Sequence, residues 1–332
     1  MKKIKSLVTG GAGFIGSNLV DELVKKGHIV TIVDNLSTGN QKNILHHKKN
    51  NVKFLKIDIS KFNNLKKIVK GNHFVFHLAG LADIVPSIEK PKEYYKSNVE
   101  GTFRLLEACK YLKIKKFIYA ASASCYGIPK NYPTNEKSKI DTKYPYALTK
   151  YLGEELVMHY GKIYKMSNLS FRFFNVYGLR SRTSGAYGAV FGVFLAQKYA
   201  RKPLTIVGNG RQTRDFIHVK DLVDALIKAS KNRKLKNQIF NIGSGKETSV
   251  NDIAKIIGGK KIFIPRRPGE PDRSLADITK IKKELNWKPK ISLKTGINEL
   301  LGNLKNWSSA PVWTPNKIKS QTKTWFKLLK NS

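Results

Sequence analysis

Three side chains could act together on a proton and a hydride: Ser122, in the segment Ser122-Ala123-Ser124, and the pair Tyr146 and Lys150, in Tyr146-Ala-Leu-Thr-Lys150. A phenol is a poor base at neutral pH because its unperturbed pKa is about 10. A nearby cation and a hydrogen bond to the phenolate both lower that value. A spacing of four residues on a helix sets Lys150 beside Tyr146 on one face. A serine hydroxyl from another element can hydrogen-bond the same reacting oxygen. Tyr-x-x-x-Lys alone also fits a surface helix that carries both residues by chance, so its meaning rests on its surroundings.

The elements that must position these groups begin at the amino terminus. Residues 3–9 read as a short apolar strand running into Gly10-Gly-Ala-Gly13-Phe14-Ile15-Gly16, and an amphipathic helix is predicted over 14–26. Strand, glycine turn and helix are the context of a phosphate cradle: backbone without Cβ atoms lets N–H groups approach a pyrophosphate at a helix N-terminus. A second strand, 28–33, ends at Asp34, whose carboxylate can take both ribose hydroxyls of an adenosine and would repel a 2′-phosphate. That favours NAD over NADP, although Lys42, Lys48 and Lys49 leave a cation for such a phosphate.

Strands and helices then alternate as a parallel sheet requires. A strand over 52–57 ends at Asp58-Ile59, and another over 74–78 ends at Ala79-Gly80. Ligands bind at the carboxyl edge of such a sheet, so Asp58 is expected near an adenine and Leu78, Ala79 and Gly80 beneath the adenosine. A tight turn would select the small residues equally. A helix predicted over 91–111 carries Asn98 and Thr102. A strand over 117–121 delivers Ser122 to the ligand edge, and Pro145 suits the first turn of the Tyr146 helix.

Composition bounds the classes. A chain of 332 residues can bury a large core and suits one doubly wound domain with a smaller lobe. No run approaches the roughly 18 apolar residues of a membrane span, and the start lacks the apolar core of a signal peptide. Cys109 and Cys125 stand alone, so neither a disulfide framework nor a metal site is suggested. A cytoplasmic location is the expectation. The net charge of +39, from 62 Lys plus Arg against 23 Asp plus Glu, can mark a nucleic-acid or membrane-surface binder. Here lysines spread over nearly every segment without a nucleic-acid motif. No specific nucleic-acid partner is expected, and the field would help attract an anionic substrate.

Taken together, these residues resemble the extended short-chain dehydrogenase/reductase superfamily, in its nucleotide-sugar epimerase and dehydratase branch. The resemblance runs from residue 3 to about 300. Its motifs are Gly10-Gly-Ala-Gly-Phe-Ile-Gly16, Asp34-Asn35-Leu-Ser37, Asp58-Ile59, His77-Leu-Ala-Gly80, Asn98-Val-Glu-Gly-Thr102, Ser122-Ala-Ser-Cys-Tyr-Gly127, Tyr146-x-x-x-Lys150, Arg172-Phe-Phe-Asn-Val-Tyr-Gly178 and Arg214-Asp-Phe-Ile-His-Val219. It implies an α/β fold: a Rossmann-type doubly wound parallel sheet over 1–174, with later segments returning to it, and a smaller α/β substrate lobe mainly over 175–302. It also implies NAD held by Gly10, Gly13, Phe14, Ile15, Gly16, Asp34, Asn35, Asp58, Ile59, Leu78, Ala79, Gly80, Asn98, Tyr146 and Lys150.

The residues after the catalytic hydroxyl separate the branch's reactions. Members similar to 4,6-dehydratases carry Thr-Asp-Glu there, and UDP-xylose synthases keep the glutamate. Ser122-Ala123-Ser124 offers no acid or base at 123 or 124, which leaves reversible oxidation at C4 and so resembles the UDP-sugar 4-epimerases, of the UDP-glucose or UDP-N-acetylglucosamine type. A glucuronate epimerase or decarboxylase, a dTDP-sugar dehydratase, a reductase and a non-catalytic NAD-binding relative remain alternatives. In the epimerase reading Tyr146 is the base, Lys150 holds phenolate and ribose, Ser122 shares the hydrogen bond to the reacting oxygen, and Ser124 is expected behind Ser122.

Asn175, Arg214 and Arg267 match family positions that hold the nucleotide pyrophosphate, a role suited to the forked donors of arginine. Ser87 resembles a serine that touches the sugar, and Tyr187 and Val190 belong to a stretch expected to fold over the nucleotide. Ser274 falls where epimerases restricted to plain hexoses carry a tyrosine, so a 2-acetamido group is expected to fit. Residues 303–332 depart from the family pattern, combining tryptophans with a basic face. They read as packing on their own globule or on a dimer mate, with a membrane-surface or partner-binding helix as the alternative. The resemblance also implies a homodimer, formed through helices at about 91–111 and 145–161.

Overall fold

A computed structural model describes residues 3–47, 51–181, 189–266 and 270–328. Among these residues twelve strands form three sheets. Seven make one sheet: β1 (Lys5–Thr9), β2 (Ile29–Asp34), β3 (Val52–Lys56), β4 (Phe74–His77), β5 (Lys116–Ser122), β6 (Asn168–Phe173) and, after three strands that belong elsewhere, β10 (Gln238–Ile242). Its spatial order is β10-β6-β5-β4-β1-β2-β3, and every pairing is parallel. The order reverses between β1 and β4, which opens a crevice at the carboxyl ends of those strands.

Both faces of this sheet are buried, as parallel sheets require. Alternate residues enter different cores: Val8, Ile32, Phe76 and Ile118 pack on one side, and Leu7, Val33, Val75 and Phe117 on the other. The strands therefore read as continuous apolar runs rather than alternating ones.

The remaining strands are β7 (Asn175–Tyr177), β8 (Leu204–Val207), β9 (Thr213–His218), β11 (Glu247–Ser249) and β12 (Lys261–Ile264). They form a three-stranded sheet, β11-β9-β7, and a two-stranded parallel sheet, β12-β8. A separate core including Phe194, Ile206, Ile253, Ile297 and Trp307 holds them with the Val190–Tyr199 and Val250–Ile257 helices.

The helix predicted over 91–111 is not uniform. It runs as α-helix over Pro91–Tyr95, widens to a π turn over Lys96–Glu100 and returns to α-helix over Gly101–Cys109. Single π turns of this kind concentrate at functional sites, and this one carries Asn98. Among the described residues no helix is long and apolar enough to cross a membrane.

Candidate active site

The carboxyl edge of the large sheet and the smaller lobe enclose a cavity of about 710 Å³. Its first wall is the glycine turn. Gly10 has φ of +70°, and a Cβ there would lie 2.6 Å from Ala79 N, so the turn after β1 can touch the turn after β4 only without a side chain. A Cβ on Gly16 would stand 2.0 Å from Gly10 O, which makes that residue the contact between helix and loop. The Phe14–Lys25 helix starts at Gly13, which offers no capping side chain, and its first turn carries no acid. Its leading N–H groups and dipole thus face the cavity as an anion site.

Asp34 closes β2. Its carboxylate accepts from Ala12 N at 2.9 Å and Leu36 N at 2.8 Å, while burial pushes its pKa up. Asp58 accepts from Ser60 N and Oγ and from Asn35, which hold its carboxyl below the ordinary range despite burial acting the other way. Asn35, Ile59, Leu78, Ala79 and Gly80 complete this end of the lining. An elongated dinucleotide fits these features: an uncapped helix N-terminus for its pyrophosphate, and a carboxylate for a ribose. Lys42 does not line the cavity, and Lys48 and Lys49 lie outside the described residues.

Ser122, Ser124, Tyr146 and Lys150 all line the cavity. The two serine hydroxyls are 2.7 Å apart, and both hydrogen-bond the Tyr146 side chain. Ser124 therefore stands beside Ser122 rather than behind it. The reason is local: the strand ends at Ser122 and winds into a 3₁₀ turn over Ala123–Tyr126, which ends the alternation of side chains. Lys150 Nζ lies 4.4 Å from the centre of the Tyr119 ring, a cation–π contact. Gly153 makes room beneath it, since a Cβ there would meet the Tyr119 hydroxyl at 2.2 Å.

The electrostatics correct one expectation. Burial raises the Tyr146 pKa, against the hydrogen bonds from Ser122 and Ser124, and the charge of Asp83 raises it further. Burial likewise lowers Lys150 to about 7, against the pull of Glu154. The lysine does not by itself make a phenolate, because complete burial penalises both charged forms. Behind Lys150, Glu154 binds Arg172 on β6 in a buried pair. Arg172 Nη1 also donates to the Tyr126 hydroxyl at 2.9 Å, which locks the Pro145–Ile163 helix, β6 and the turn after Ser122 together.

The rest of the lining includes Asn175, Val190, Arg214 and Ser274. Ser274 N donates to Thr213 O at 3.1 Å, which fastens the 270–278 segment along β9. Two expected contacts are placed elsewhere. Ser87 is fully buried and donates to Ile84 O at 2.6 Å, within its own helix; Asp83, Ile84 and Val85 line the cavity instead. Asn98 is held behind the loop: its Oδ1 accepts from Leu81 N at 2.8 Å and its Nδ2 donates to Leu81 O at 3.0 Å and Thr149 Oγ1 at 3.1 Å. It shapes the lining without joining it. Tyr187 and Arg267 lie outside the described residues.

Sequence reasoning missed Asp83, Tyr144, Trp313 and Trp325, all of which line the cavity. Only Tyr144, two residues before Tyr146, carried a usable signal; its ring stacks on Tyr146 at 6.4 Å and 6°. Among the described residues one cluster, Asp21 with His46 and His47, has the spacing of metal ligands. It lies outside the cavity, and its carboxylate is already taken by both imidazoles and by Arg180.

Comparison with known proteins converges on this geometry. The model of the NAD-dependent epimerase/dehydratase family matches residues 6–243. UDP-glucose 4-epimerase of Mycolicibacterium smegmatis is 35% identical over 315 residues, spanning 92% of this chain and 100% of that protein. The structure of UDP-N-acetylglucosamine 4-epimerase from Methanobrevibacter ruminantium, in complex with UDP-N-acetylmuramic acid, matches with a TM-score of 0.85 at 32% identity, over 91% of this chain and 100% of its own. That of UDP-glucuronic acid 4-epimerase from Bacillus cereus, with UDP-glucuronic acid and NAD, has a TM-score of 0.85 at 32% identity, over 91% of this chain and 99% of its own. The chain belongs to the NAD-dependent epimerase/dehydratase family, as an enzyme of its nucleotide-sugar epimerase branch.

Proposed function

We propose that this enzyme inverts C4 of a UDP-hexose or UDP-N-acetylhexosamine through a 4-keto intermediate. The observation that carries the reading is that Ser122 and Ser124 both hydrogen-bond Tyr146 in a cavity that Lys150 also lines, with no acid or base at positions 123 and 124. NAD held there would supply a reversible hydride acceptor for C4, and inversion requires the 4-keto sugar to turn over so that its opposite face is reduced. Tyr146 takes the proton of the 4-hydroxyl and gives it back. Ser122 and Ser124, both hydrogen-bonded to Tyr146, share the hydrogen bonding of that oxygen while the carbon is oxidised. Lys150, buried against Tyr119, supplies a positive charge close to neutral pH, and the glycine-turn helix holds the pyrophosphate.

Ser274 supports tolerance of a 2-acetamido group, because a small side chain lies in the substrate half of the lining. Phe103, Leu148 and Ile163 remain exposed on the helices expected to pair two copies, which supports a homodimer; sedimentation at micromolar concentration would read its mass.

The deciding experiment incubates the purified protein with UDP-, GDP- and dTDP-sugars and resolves the products by chromatography and mass. Unchanged mass with inverted C4 is the expected result for UDP-glucose and UDP-N-acetylglucosamine. Loss of water or carbon dioxide, or net NADH formation, would overturn the reading.

A further inference from the structure

The segment after residue 303 crosses from the smaller lobe to the large sheet, and it does so over the cavity. Trp307 is buried in the core of the smaller lobe. The chain is then tied to that lobe at Trp313, whose carbonyl accepts from Gln197 Nε2 at 2.7 Å. Gln197 is itself fully buried and clamps Thr205 of β8 through both ends of its amide, at 2.8 and 3.1 Å. This is a specific anchor, because a buried amide left without these partners would be costly. From there the Pro315–Gln321 helix starts on a Thr314 cap and buries Ile318. The Lys323–Leu328 helix follows, burying Trp325 and packing against the Ile84–Glu89 helix.

The two ends of this strap meet the two ends of the substrate half. Trp313 is anchored beside Thr205, which lines the cavity at the smaller lobe. Trp325 sits against the helix that follows Asp83, whose charge acts on Tyr146. Pro311, Trp313 and Trp325 all line the cavity.

We propose that residues 309–328 form an outer wall of the substrate pocket, and that Trp313 and Trp325 are specificity-determining residues for the nucleotide-sugar. The inference rests on the UDP-sugar reading above. The half-buried indole of Trp313 offers a broad, rigid surface with one polar edge, suited to a pyranose face or a nucleobase, and the buried indole of Trp325 backs the wall from within. Trp325 bounds the end nearer the reacting hydroxyl and Trp313 the end at β8.

Two measurements test this. Steady-state kinetics compare the full-length enzyme with Trp313→Ala and Trp325→Ala. The expected result is a KM for UDP-sugar raised about tenfold with kcat changed less than about threefold, the pattern of lost binding common to ground and transition states. Intrinsic fluorescence then follows UDP binding in the full-length protein, with calorimetry as the independent measure of occupancy. Trp287 and Trp307 are buried away from the cavity lining, so quenching by UDP should fall in Trp313→Phe and Trp325→Phe, variants that keep an aromatic wall in place. Variants with KM within twofold of the parent, or UDP binding that leaves the parent's fluorescence unchanged, would overturn this inference alone. A parent that binds no UDP would overturn the substrate reading and this inference with it.

Discussion

The cavity has two halves built on different principles. At the cofactor end the walls are backbone turns at the carboxyl ends of neighbouring strands. Each turn is encoded within a few residues: Gly10 to Gly16 after β1, Asp34 and Asn35 after β2, Asp58 and Ile59 after β3, Leu78 to Gly80 after β4. At the substrate end the walls are side chains drawn from Asp83, Tyr144, Asn175, Arg214, Ser274, Trp313 and Trp325, which no short stretch of sequence brings together. A shared cofactor can be served by fixed local turns, whereas a variable sugar is met by side chains that can change one at a time.

If that contrast holds, damage at the cofactor end should remove everything and damage at the substrate end should discriminate. The largest effect is expected for Gly16→Ala, whose Cβ would stand 2.0 Å from Gly10 O. Purified variant should release no NAD on denaturation and turn over no substrate; retained NAD would mean that the turn can relax. Next is Tyr146→Phe, which should lower kcat by about 10²–10⁴ with NAD content unchanged. A loss under about tenfold would place the base elsewhere.

Ser274→Tyr tests the other half. It should lower kcat/KM for UDP-N-acetylglucosamine by about tenfold or more relative to UDP-glucose, and an equal loss for both sugars would make Ser274 a scaffold residue.

The last effect is read in stability against pH rather than in turnover. Lys150 is lowered to about 7 in the folded protein and titrates near 10.4 when unfolded. Between those values the unfolded chain binds more protons, so stability gains with rising pH, by no more than about 1.4 kcal/mol per pH unit from this group. Compared with Lys150→Met, the parent should be relatively weakest below pH 7 and recover toward pH 10 in thermal melts. Parallel melting curves for the two proteins across that range would show that Lys150 stays charged.

Legibility in the sequence follows the same division. The sheet strands and the helix of Tyr146 could be read because apolar runs, glycine spacing and Pro145 act over a few residues. So could the meeting of Ser122 with Tyr146, since β5 and that helix lead to the same edge. Alternation leaves the direction of Ser124 open, because the strand ends at Ser122 and a 3₁₀ turn follows. Ser87 was misplaced because its hydroxyl is claimed by its own helix at Ile84 O. Spacing does not reveal that burial raises the Tyr146 pKa against the hydrogen bonds from Ser122 and Ser124. The tail showed aromatic and basic residues, but only the fold shows that they end over the cavity.

The π turn at Lys96–Glu100 has a consequence for how that long helix could ever be altered. Before it, Tyr94 reaches the Asp83 carbonyl at 2.6 Å; within it, Asn98 grips Leu81; after it, Leu105, Leu106 and Cys109 enter the core. Each residue of an ordinary helix turns by about 100°, so these two sets of contacts are out of phase, and the wide turn absorbs the mismatch. Deleting one residue there would tidy the winding and rotate one set away from its partners. The segment works as a phase adjuster between a register set by the site loop and a register set by the core, and length changes are tolerable only where neither register is read.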